Sequence, residues 1–456
     1  PPPAFFFLAQ YGIRDAQESR GLGDVYKRQP LDNKRVTVYA CGPTVYGPGH
    51  IGNGRSAIIF DTLVRLLRYE YKNIIYARNI TDVDDKIINA SRDEGISVSE
   101  ITKKYTKQYH SDFKKLFVLP PDIEPFATDH IDQMISFISN LIKGDNAYVS
   151  DSHVLFNVSS FPEYGSLSGR KIEDMIPGAR IEVAKYKKAS SDFVLWKPSK
   201  VDEIGWESPW GRGRPGWHLE CSTMIKKHLG ETIDIHGGGE DLTFPHHENE
   251  LAQSECCNKK PLANYWVHNG LLRLDNSKMS KSLKNFVLIK DLLKDYDGEV
   301  IRLAMIGSHY RQPLIWSDRL ISQSKKTIEN LYSSIEGLDH KINILDCKPD
   351  NKVLKALYDD LNTPKALAEI FSISKRIPKS KNKLELVNKL IGSSNLIGLL
   401  NYRTNNKRFL NTLSIDKEKV NELLEKRRIA RDNRDYDESD SIRDILLKMG
   451  VKISDT

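Results

Sequence analysis

The chain has 456 residues, of which 39% are hydrophobic and 28% charged, and its formal net charge is +7. That length exceeds one ordinary hydrophobic core and predicts roughly two to four domains. No apolar run is long enough to span a bilayer, and five cysteines in so long a chain argue against a secreted disulfide framework, so we expect a cytoplasmic protein with no membrane contact.

Residues 1–29 begin Pro-Pro-Pro-Ala-Phe-Phe-Phe-Leu and show neither helical nor strand periodicity. They also lack the basic start and cleavage site of a secretory signal. Two interpretations stay open for this segment: a leader that is not native, similar to translated cloning DNA, or an ordinary disordered terminus.

Regular structure is predicted from about Arg35. Val36–Ala40 is a β-rich run that ends at Cys41, and the loop Gly47–Gly54 leads into a helical pattern. The apolar residues on one side of that helix are Ile58, Ile59, Leu63, Leu66 and Leu67. A second strand follows from Asn73 to Ile80. This order predicts an α/β fold, in which a Rossmann-like parallel sheet is wrapped by helices.

From Phe117 to Glu207 the pattern becomes irregular, with several Pro and Gly residues and short strands, as expected for an insertion between two halves of the sheet. The second half resumes at Trp217, with a strand at Thr232–Ile235, a helix after Pro245 and a further strand near Tyr265 to Leu272. After Ile315 the pattern is almost wholly helical. The expected domains are a leader (1–29), the first half of the catalytic domain (30–116), an insertion (117–207), the second half (208–315), an α-helical bundle (316–403) and a small C-terminal domain (404–456).

The first candidate functional motif is Gly49-His50-Ile51-Gly52-Asn53, which lies between a predicted strand and a predicted helix. Small residues let a phosphate approach the backbone, and a helix N-terminus offers unpaired N–H groups and a positive dipole. Taken alone, the motif is also compatible with a turn that contains an incidental histidine.

The second motif is Asn276-Ser277-Lys278-Met279-Ser280-Lys281-Ser282. Two lysines at this spacing, Lys278 and Lys281, can close over a triphosphate and stabilise charge on the departing pyrophosphate. The alternative is a solvated basic loop.

A third set of residues has the donor types of a metal site. Cys41 ends the first strand, Cys221 lies in a predicted helix, and His246 and Glu250 are four residues apart, on one face of a helix. Two thiolates, an imidazole and a carboxylate can form a tetrahedral zinc site. For each cysteine alone, the alternative is a small buried hydrophobic residue.

The first two motifs resemble the signatures of the class I aminoacyl-tRNA synthetases, although Asn53 stands where many members carry histidine. The resemblance implies that both motifs flank ATP, with His50, Asn53, Lys278 and Lys281 catalytic and magnesium accompanying ATP. It also assigns ATP contacts to a larger set: Gly49, Gly52, Gly237, Gly238, Gly239, Asp241, Met279 and Ser280.

Three further segments resemble the zinc-site segments of the cysteinyl-tRNA synthetase family: Cys41 to Tyr46, Gly216 to Cys221, and Phe244 to Glu250. The resemblance runs from about Pro30 to the C-terminus. It implies one zinc ion held by Cys41, Cys221, His246 and Glu250, and an amino-acid pocket shaped by Gly42, Thr44, Thr81 and Trp217. His247 and Glu248 adjoin these ligands, either as groups that support them or as solvent-exposed residues.

The implied partners are tRNA(Cys), ATP and L-cysteine, and we expect a monomer. The helical C-terminal region resembles an anticodon-binding region, and its basic run Lys426-Arg427-Arg428 is predicted to contact the tRNA backbone. Two rivals stay open: a ligase that joins cysteine to an amino sugar, and a catalytically inactive relative that only binds RNA.

Overall fold

The computed structural model describes residues 30–32, 35–170, 184–274, 277–278, 287–338, 347–401, 417–433 and 435–448. The chain divides into two compact units, one ending at Asn401 and one starting at Tyr402. In the described part of the chain, none of the helices combines the length and the apolar character needed to cross a membrane.

The larger unit alternates strands and helices before it becomes helical. Its strands are β1 (Val36–Ala40), β2 (Ile74–Arg78), β3 (Ala147–Ser150), β4 (His153–Phe156), β5 (Phe193–Pro198), β6 (Gly213–Pro215), β7 (Ile233–Gly239), β8 (Ala263–Asn269), β9 (Leu272–Leu274), β10 (Ser277–Lys278) and β11 (Leu314–Trp316). Its helices are α1 (Ile51–Glu70), α2 (Asp85–Glu94), α3 (Val98–Lys115), α4 (Ile131–Lys143), α5 (Trp217–His228), α6 (Glu248–Asn258), α7 (Ile289–Asp295), α8 (Gly298–Ile306), α9 (Asp318–Ile335), α10 (Asn351–Tyr358), α11 (Thr363–Arg376) and α12 (Lys383–Leu396).

The central sheet is parallel and has the strand order β2-β1-β7-β8, which confirms the predicted α/β fold. Every residue of β1 is buried, as expected when helices cover both faces of a sheet. Val38 pairs with Tyr76 on one side and with Ile235 on the other. In this register the carboxyl ends of all four strands meet at one edge, where ligands bind in open α/β sheets.

The third strand of this sheet is longer than the sequence indicated. Ending it at Ile235 was wrong, because β7 continues through Gly239 and pairs with β8 over its whole length. A Cβ atom on Gly237 would lie 1.9 Å from the main-chain oxygen of Val267, so a glycine is needed for β7 and β8 to approach. The glycine run is therefore a strand in which backbones come close, and not a flexible turn.

The insertion forms a second sheet, antiparallel, with the order β3-β4-β5-β6. Its last strand, Gly213–Pro215, lies beyond the expected boundary at residue 207. Phe137 and Leu141 of α4 belong to the same buried cluster as Met224 of α5. Because the two sheets share one hydrophobic core, the insertion packs as part of the catalytic domain.

The described residues after Trp316 are helical up to Leu396, as predicted. Arg302 of α8 joins this bundle to α1: it pairs with Asp61 and donates a hydrogen bond of 2.8 Å to the main-chain oxygen of Ile397. Burial opposes ionisation of Asp61, but Arg302 and Arg65 hold the pKa of its carboxyl below the usual value. This buried ion pair fixes the bundle against the helix that follows the first motif.

The smaller unit contains two helices that contact each other, α13 (Lys417–Asp432) and α14 (Tyr436–Lys448). Of the basic run on α13 that is predicted to contact the tRNA backbone, Arg427 is largely buried. Lys426 and Arg428 are exposed and pair with Glu422 and Glu425 on the same helix, as i,i+3 and i,i+4 spacing allows.

Candidate active site and metal centre

A cavity of about 420 Å³ opens at the carboxyl edge of the parallel sheet. The first motif lines it, as do Cys41 and Trp217 of the predicted zinc-site segments and residues of α2 and α3. Its wall includes Cys41, His50, Asn53, Arg78, Trp217 and Asp241. The first motif and part of the predicted zinc-site segments therefore meet at the position where parallel sheets bind nucleotides.

His50 is the N-cap of α1. Its Nδ1 accepts hydrogen bonds from the main-chain N–H of Gly52 at 3.1 Å and of Asn53 at 3.3 Å. The Asn53 carboxamide in turn accepts from the His50 N–H at 3.1 Å, which completes a capping box. Because Nδ1 is an acceptor, the proton of a neutral imidazole lies on Nε2, so His50 presents a hydrogen-bond donor at the positive end of the helix dipole.

The two ends of the lysine motif are anchored beside this helix. Ser277 and Lys278 form β10, which pairs antiparallel with β9. After residues 279–286 the chain returns to the first motif, where Ile51 N–H donates to Val287 at 3.0 Å and Ile289 N–H donates to Gly49 at 3.0 Å. Met279, Ser280 and Lys281 lie outside the described residues, as does the side chain of Lys278.

The four predicted metal ligands come together from three elements. The Sγ atoms of Cys41 and Cys221 are 3.7 Å apart, Cys221 Sγ is 3.7 Å from His246 Nε2, and Cys41 Sγ is 3.4 Å from a Glu250 oxygen. Ligands at ~2.1–2.3 Å from a tetrahedral zinc are separated by about 3.4–3.8 Å. These spacings and the donor types fit zinc, and only the 2.6 Å contact between His246 and Glu250 is shorter.

The charges of these groups also suit a cation. The thiol of Cys41 donates to Cys221 and lowers the pKa of Cys221 to about 7, while burial raises the pKa of Cys41 itself. Burial opposes ionisation of Glu250, but His246 and His236 hold its pKa well below the usual value. The cluster therefore holds a carboxylate and an acidified thiol in a buried position, where an ion of opposite charge stabilises the ionised form of each.

A second donor set shares Cys41 and Glu250 with the first and adds His236 and His247. His247 Nε2 lies 3.3 Å from Cys41 Sγ and the residue is buried, so the expectation of a solvent-exposed His247 is wrong. Its Nδ1 is 2.6 Å from Nε2 of His268, and burial lowers the pKa of His268 to about 3. Sequence reasoning missed His236 and His268 in these roles, because their partners Glu250 and His247 lie 14 and 21 residues away in the chain.

Glu248 does not support the cluster. Its carboxylate accepts hydrogen bonds of 2.8 Å from the N–H groups of Gly165 and Ser168, so it fixes the insertion to α6. A buried carboxylate that satisfies two main-chain donors has a structural role.

Three of the four residues predicted to form the amino-acid pocket line the cavity. Gly42, Thr44 and Trp217 line it, and the Trp217 ring stacks on His246 with centroids 4.3 Å apart. Thr81 is buried beneath the wall, where its hydroxyl donates to Glu220 at 2.8 Å. Asn79 Oδ1 accepts from the Gly42 N–H at 2.8 Å and holds the turn after Cys41. Glu220 and Asn79, which the sequence did not single out, therefore support this wall.

The predicted ATP-binding glycines divide into two groups. Gly239 and Asp241 line the cavity, together with Gly49 and Gly52 of the first motif. Gly237 and Gly238 lie instead where β7 packs closely: a Cβ atom on Gly238 would be 2.8 Å from Leu242. These two glycines therefore shape the edge of the sheet by allowing neighbouring atoms to pack closely against β7.

Comparison with known proteins extends over nearly the whole chain. A family model described as the catalytic domain of class I (C) tRNA synthetases matches residues 27–326, and a DALR domain model matches residues 352–401. A cysteine–tRNA ligase of Parvibaculum lavamentivorans is 52% identical over 94% of this chain and 93% of its own length. One of Maricaulis maris is 48% identical over 94% of both.

Solved structures of other synthetases share the fold. A methionyl-tRNA synthetase of Mycobacterium tuberculosis, bound by methionyl-adenylate, has a TM-score of 0.56 at 13% identity and covers 80% of this chain and 90% of its own. A leucyl-tRNA synthetase of Agrobacterium radiobacter in a ternary complex also has a TM-score of 0.56, at 10% identity, covering 80% of this chain and 82% of its own.

Proposed function

The chain belongs to the cysteine–tRNA ligases, a family of class I aminoacyl-tRNA synthetases, and from this premise we propose how its residues perform the reaction. The enzyme ligates L-cysteine to tRNA at the expense of ATP. In the first step the cysteine carboxylate attacks the α-phosphorus of ATP and pyrophosphate leaves. In the second step a hydroxyl of the terminal ribose of the tRNA attacks the activated carbonyl and AMP leaves.

We propose that His50 binds the phosphates of ATP, which would lie at the N-terminus of α1. Its Nδ1 is an acceptor for the helix N-terminus, so Nε2–H donates to a phosphate oxygen. The dipole of α1 adds positive potential at the same point. Asn53 fixes the orientation of His50 through the capping box. This geometry is the single observation that carries the proposed chemistry, because it fixes the His50 ring with its Nε2 proton at the N-terminus of α1.

Lys278 and Lys281 are proposed to meet the charge that develops on pyrophosphate, with magnesium accompanying ATP. In support, β10 and Val287–Ile289 anchor the two ends of the segment that contains these lysines, and the second anchor is at the first motif itself. These anchors on both sides of Lys281 keep the lysine motif close to the first motif, where the phosphates are proposed to bind.

We further propose that the ion of the metal centre is zinc, held by Cys41, Cys221, His246 and Glu250. Zinc bound there would coordinate the thiolate of cysteine and discriminate against the hydroxyl of serine. The protein's contribution is to hold the four donors in place: Trp217 stacks on His246, and His236 pairs with Glu250.

The identity of the tRNA, the oligomeric state and the cellular location are also proposals. We assign tRNA(Cys) as the acceptor, a monomer as the active form and the cytoplasm as its location. The matches over residues 27–326 and 352–401, in the order found here, support an enzyme that carries tRNA-synthetase domains beyond its catalytic core. A ligase of an amino sugar and an inactive RNA-binding relative are the alternatives that an assay must separate.

The test is cysteine-dependent exchange of pyrophosphate into ATP, followed by transfer to tRNA. We expect exchange with cysteine, exchange with serine lower by about 10⁴-fold, and loss of activity with a zinc chelator that zinc restores. Charging of a tRNA(Cys) transcript should follow. Exchange without transfer to tRNA would contradict the assigned acceptor, and no exchange from zinc-loaded folded protein would contradict the enzyme assignment.

A further inference from the structure

The guanidinium of Arg78 is a buried cation in the wall of the catalytic cavity. Arg78 is the last residue of β2 and its side chain is 4% exposed. Its Nε and Nη1 atoms find no hydrogen-bond acceptor within the part of the chain that the structure describes. Leaving buried donors of a charged group unsatisfied is costly, so this arrangement needs an explanation.

Aromatic rings surround the guanidinium in place of carboxylates. Its central carbon lies 5.4 Å from the ring centroid of Tyr109, 5.9 Å from that of Tyr76 and 6.0 Å from that of Phe113. Burial alone would lower the pKa of Arg78, but Tyr109, Tyr76 and Glu124 raise it above its usual value, so the group stays charged. Among the described residues, no carboxylate comes within ion-pair distance of Arg78.

The position of Arg78 separates it from the residues already assigned to ATP. The order of the sheet is β2-β1-β7-β8. The cavity therefore runs from Arg78 on the edge strand β2, past His50 after β1, to Gly239 at the end of β7 and Asp241 beyond it. Nucleotide contacts are proposed for the β1 and β7 ends. Arg78 therefore lies on the opposite side of the cavity from the glycine strand.

Tyr105 and Tyr109 are four residues apart on α3 and both line the cavity on the Arg78 side. A guanidinium beside aromatic side chains is the combination that binds single-stranded nucleic acid, in which the rings stack on bases and the cation meets the backbone. A guanidinium also matches the two oxygens of a phosphate in a bidentate geometry.

We propose that Arg78 binds a phosphate of a substrate in the catalytic cavity, and that this phosphate is a phosphodiester of the single-stranded 3′ end of tRNA. The proposal rests on the proposed function, in which the terminal ribose must reach the adenylate. Arg78 would hold the last backbone phosphate while the ribose hydroxyl lies against the activated carbonyl. ATP is the other source of phosphate, and the experiment distinguishes the two.

The test is Arg78→Met, which keeps an unbranched side chain and removes the charge. The matched control is Arg68→Met, since Arg68 is partly exposed on α1 and pairs with Asp122 at 2.8 Å. Three measurements are made on full-length protein: thermal stability without substrates, pyrophosphate exchange per titrated active site, and single-turnover transfer from preformed adenylate to tRNA as a function of salt.

We expect Arg78→Met to melt at the same temperature as wild type or higher, because a buried charge without a counterion is removed. Exchange should keep its KM for ATP and for cysteine within about twofold. Transfer should fall by about 10²-fold, and the slope of log affinity for tRNA against log salt should decrease by about 1. Arg68→Met should leave exchange and transfer unchanged.

A raised KM for ATP with unchanged transfer would move the contact to ATP and overturn the tRNA assignment. Unchanged exchange and transfer, or a loss of stability that accounts for all lost activity, would overturn the phosphate site altogether. Failure of wild type to exchange pyrophosphate would instead contradict the proposed function, so the two failures are distinguishable.

Discussion

Arg55 donates a hydrogen bond of 2.6 Å from Nη2 to the main-chain oxygen of Gln312, and a second of 3.0 Å from Nη1 to that of Leu271. Arg55 lies in the first turns of α1, five residues after His50, and is fully buried. Leu271 immediately precedes β9, which pairs with β10 and therefore with Lys278. One side chain thus joins the helix of the first motif to the hairpin that begins the lysine motif.

We therefore predict that Arg55→Lys slows adenylate formation by about 10–10² fold with little change in the KM for cysteine. A single ammonium cannot span Leu271 and Gln312, so the hairpin loses its fixed distance from His50, and misplacement by about 1 Å can cost about 10²-fold in rate. The measurement is pyrophosphate exchange normalised by active-site titration, which removes any effect of unfolded protein.

Arg65→Lys is the matched control for this prediction. Arg65 lies on the same helix but pairs with Asp61 at 2.7 Å and contacts the bundle, away from the hairpin. It should lose stability without slowing the normalised exchange. Equal slowing in both variants would mean that Arg55 acts through general stability, which would contradict a positioning role.

Sequence reasoning was sufficient wherever chemistry is carried by a local pattern. Periodicity and residue type predicted the parallel sheet and a loop with His50 before a helix, although α1 begins at Ile51, earlier than expected. The convergence of Cys41, Cys221, His246 and Glu250 was implied by the resemblance to the cysteinyl-tRNA synthetase family, because spacing alone left it open. The partners of Arg55 lie between 216 and 257 residues away in the chain, and no spacing rule reaches that far.

Sequence reasoning also did not predict which polar side chains are buried or what surrounds them. Arg78 lies in the predicted strand from Asn73 to Ile80, but nothing in the neighbouring sequence signals an unsatisfied guanidinium, since this depends on which rings α3 packs against it. His236 immediately precedes the glycines that were assigned to ATP, and the strand places it against Glu250. The extension of β7 was missed because glycine runs are more frequent in turns than in strands.

Substitution of one thiolate should separate metal binding from folding. We predict that Cys221→Ser weakens zinc binding by at least about 10²-fold and reduces discrimination between cysteine and serine, because a neutral hydroxyl is a poor zinc ligand. Zinc content by elemental analysis and exchange with both amino acids are the measurements. Cys257→Ser is the control, since Cys257 contacts Lys226 outside the donor cluster. Unchanged zinc content in Cys221→Ser would reject Cys221 as a ligand.

A substitution at Gly237 tests whether β7 continues through the glycine run and packs closely against β8. Gly237→Ala should destabilise the protein by about 3 kcal/mol, because its Cβ atom would lie 1.9 Å from Val267 and 2.8 Å from Phe60. Gly307→Ala is the comparison, since its Cβ atom comes no closer than 3.4 Å to a neighbouring atom. Urea unfolding of the two variants should differ clearly. Equal stability would show that the strand tolerates a side chain at Gly237, contrary to the close pairing.

Glu299 at the start of α8 should make stability depend on pH. Its side chain is 1% exposed and accepts hydrogen bonds from Asn401 N–H at 2.7 Å and Tyr332 O–H at 2.9 Å. Burial raises its pKa from 4.5 to about 7. A carboxyl whose pKa is higher in the folded state stabilises the fold most below pH ~4.5, and this contribution is lost as the pH rises through about 7, by at most about 3 kcal/mol.

Glu299→Gln should remove that dependence, because the amide resembles the protonated carboxyl: its oxygen can accept from Asn401 while its NH₂ donates to the Tyr332 oxygen. Unfolding free energies of both proteins, measured between pH 4.5 and 7.5, should converge at low pH and separate at high pH, with the variant the more stable. Since other groups titrate equally in both proteins, the difference isolates Glu299. Parallel curves would mean that the three donors from Asn401 and Tyr332 outweigh burial and keep Glu299 ionised throughout.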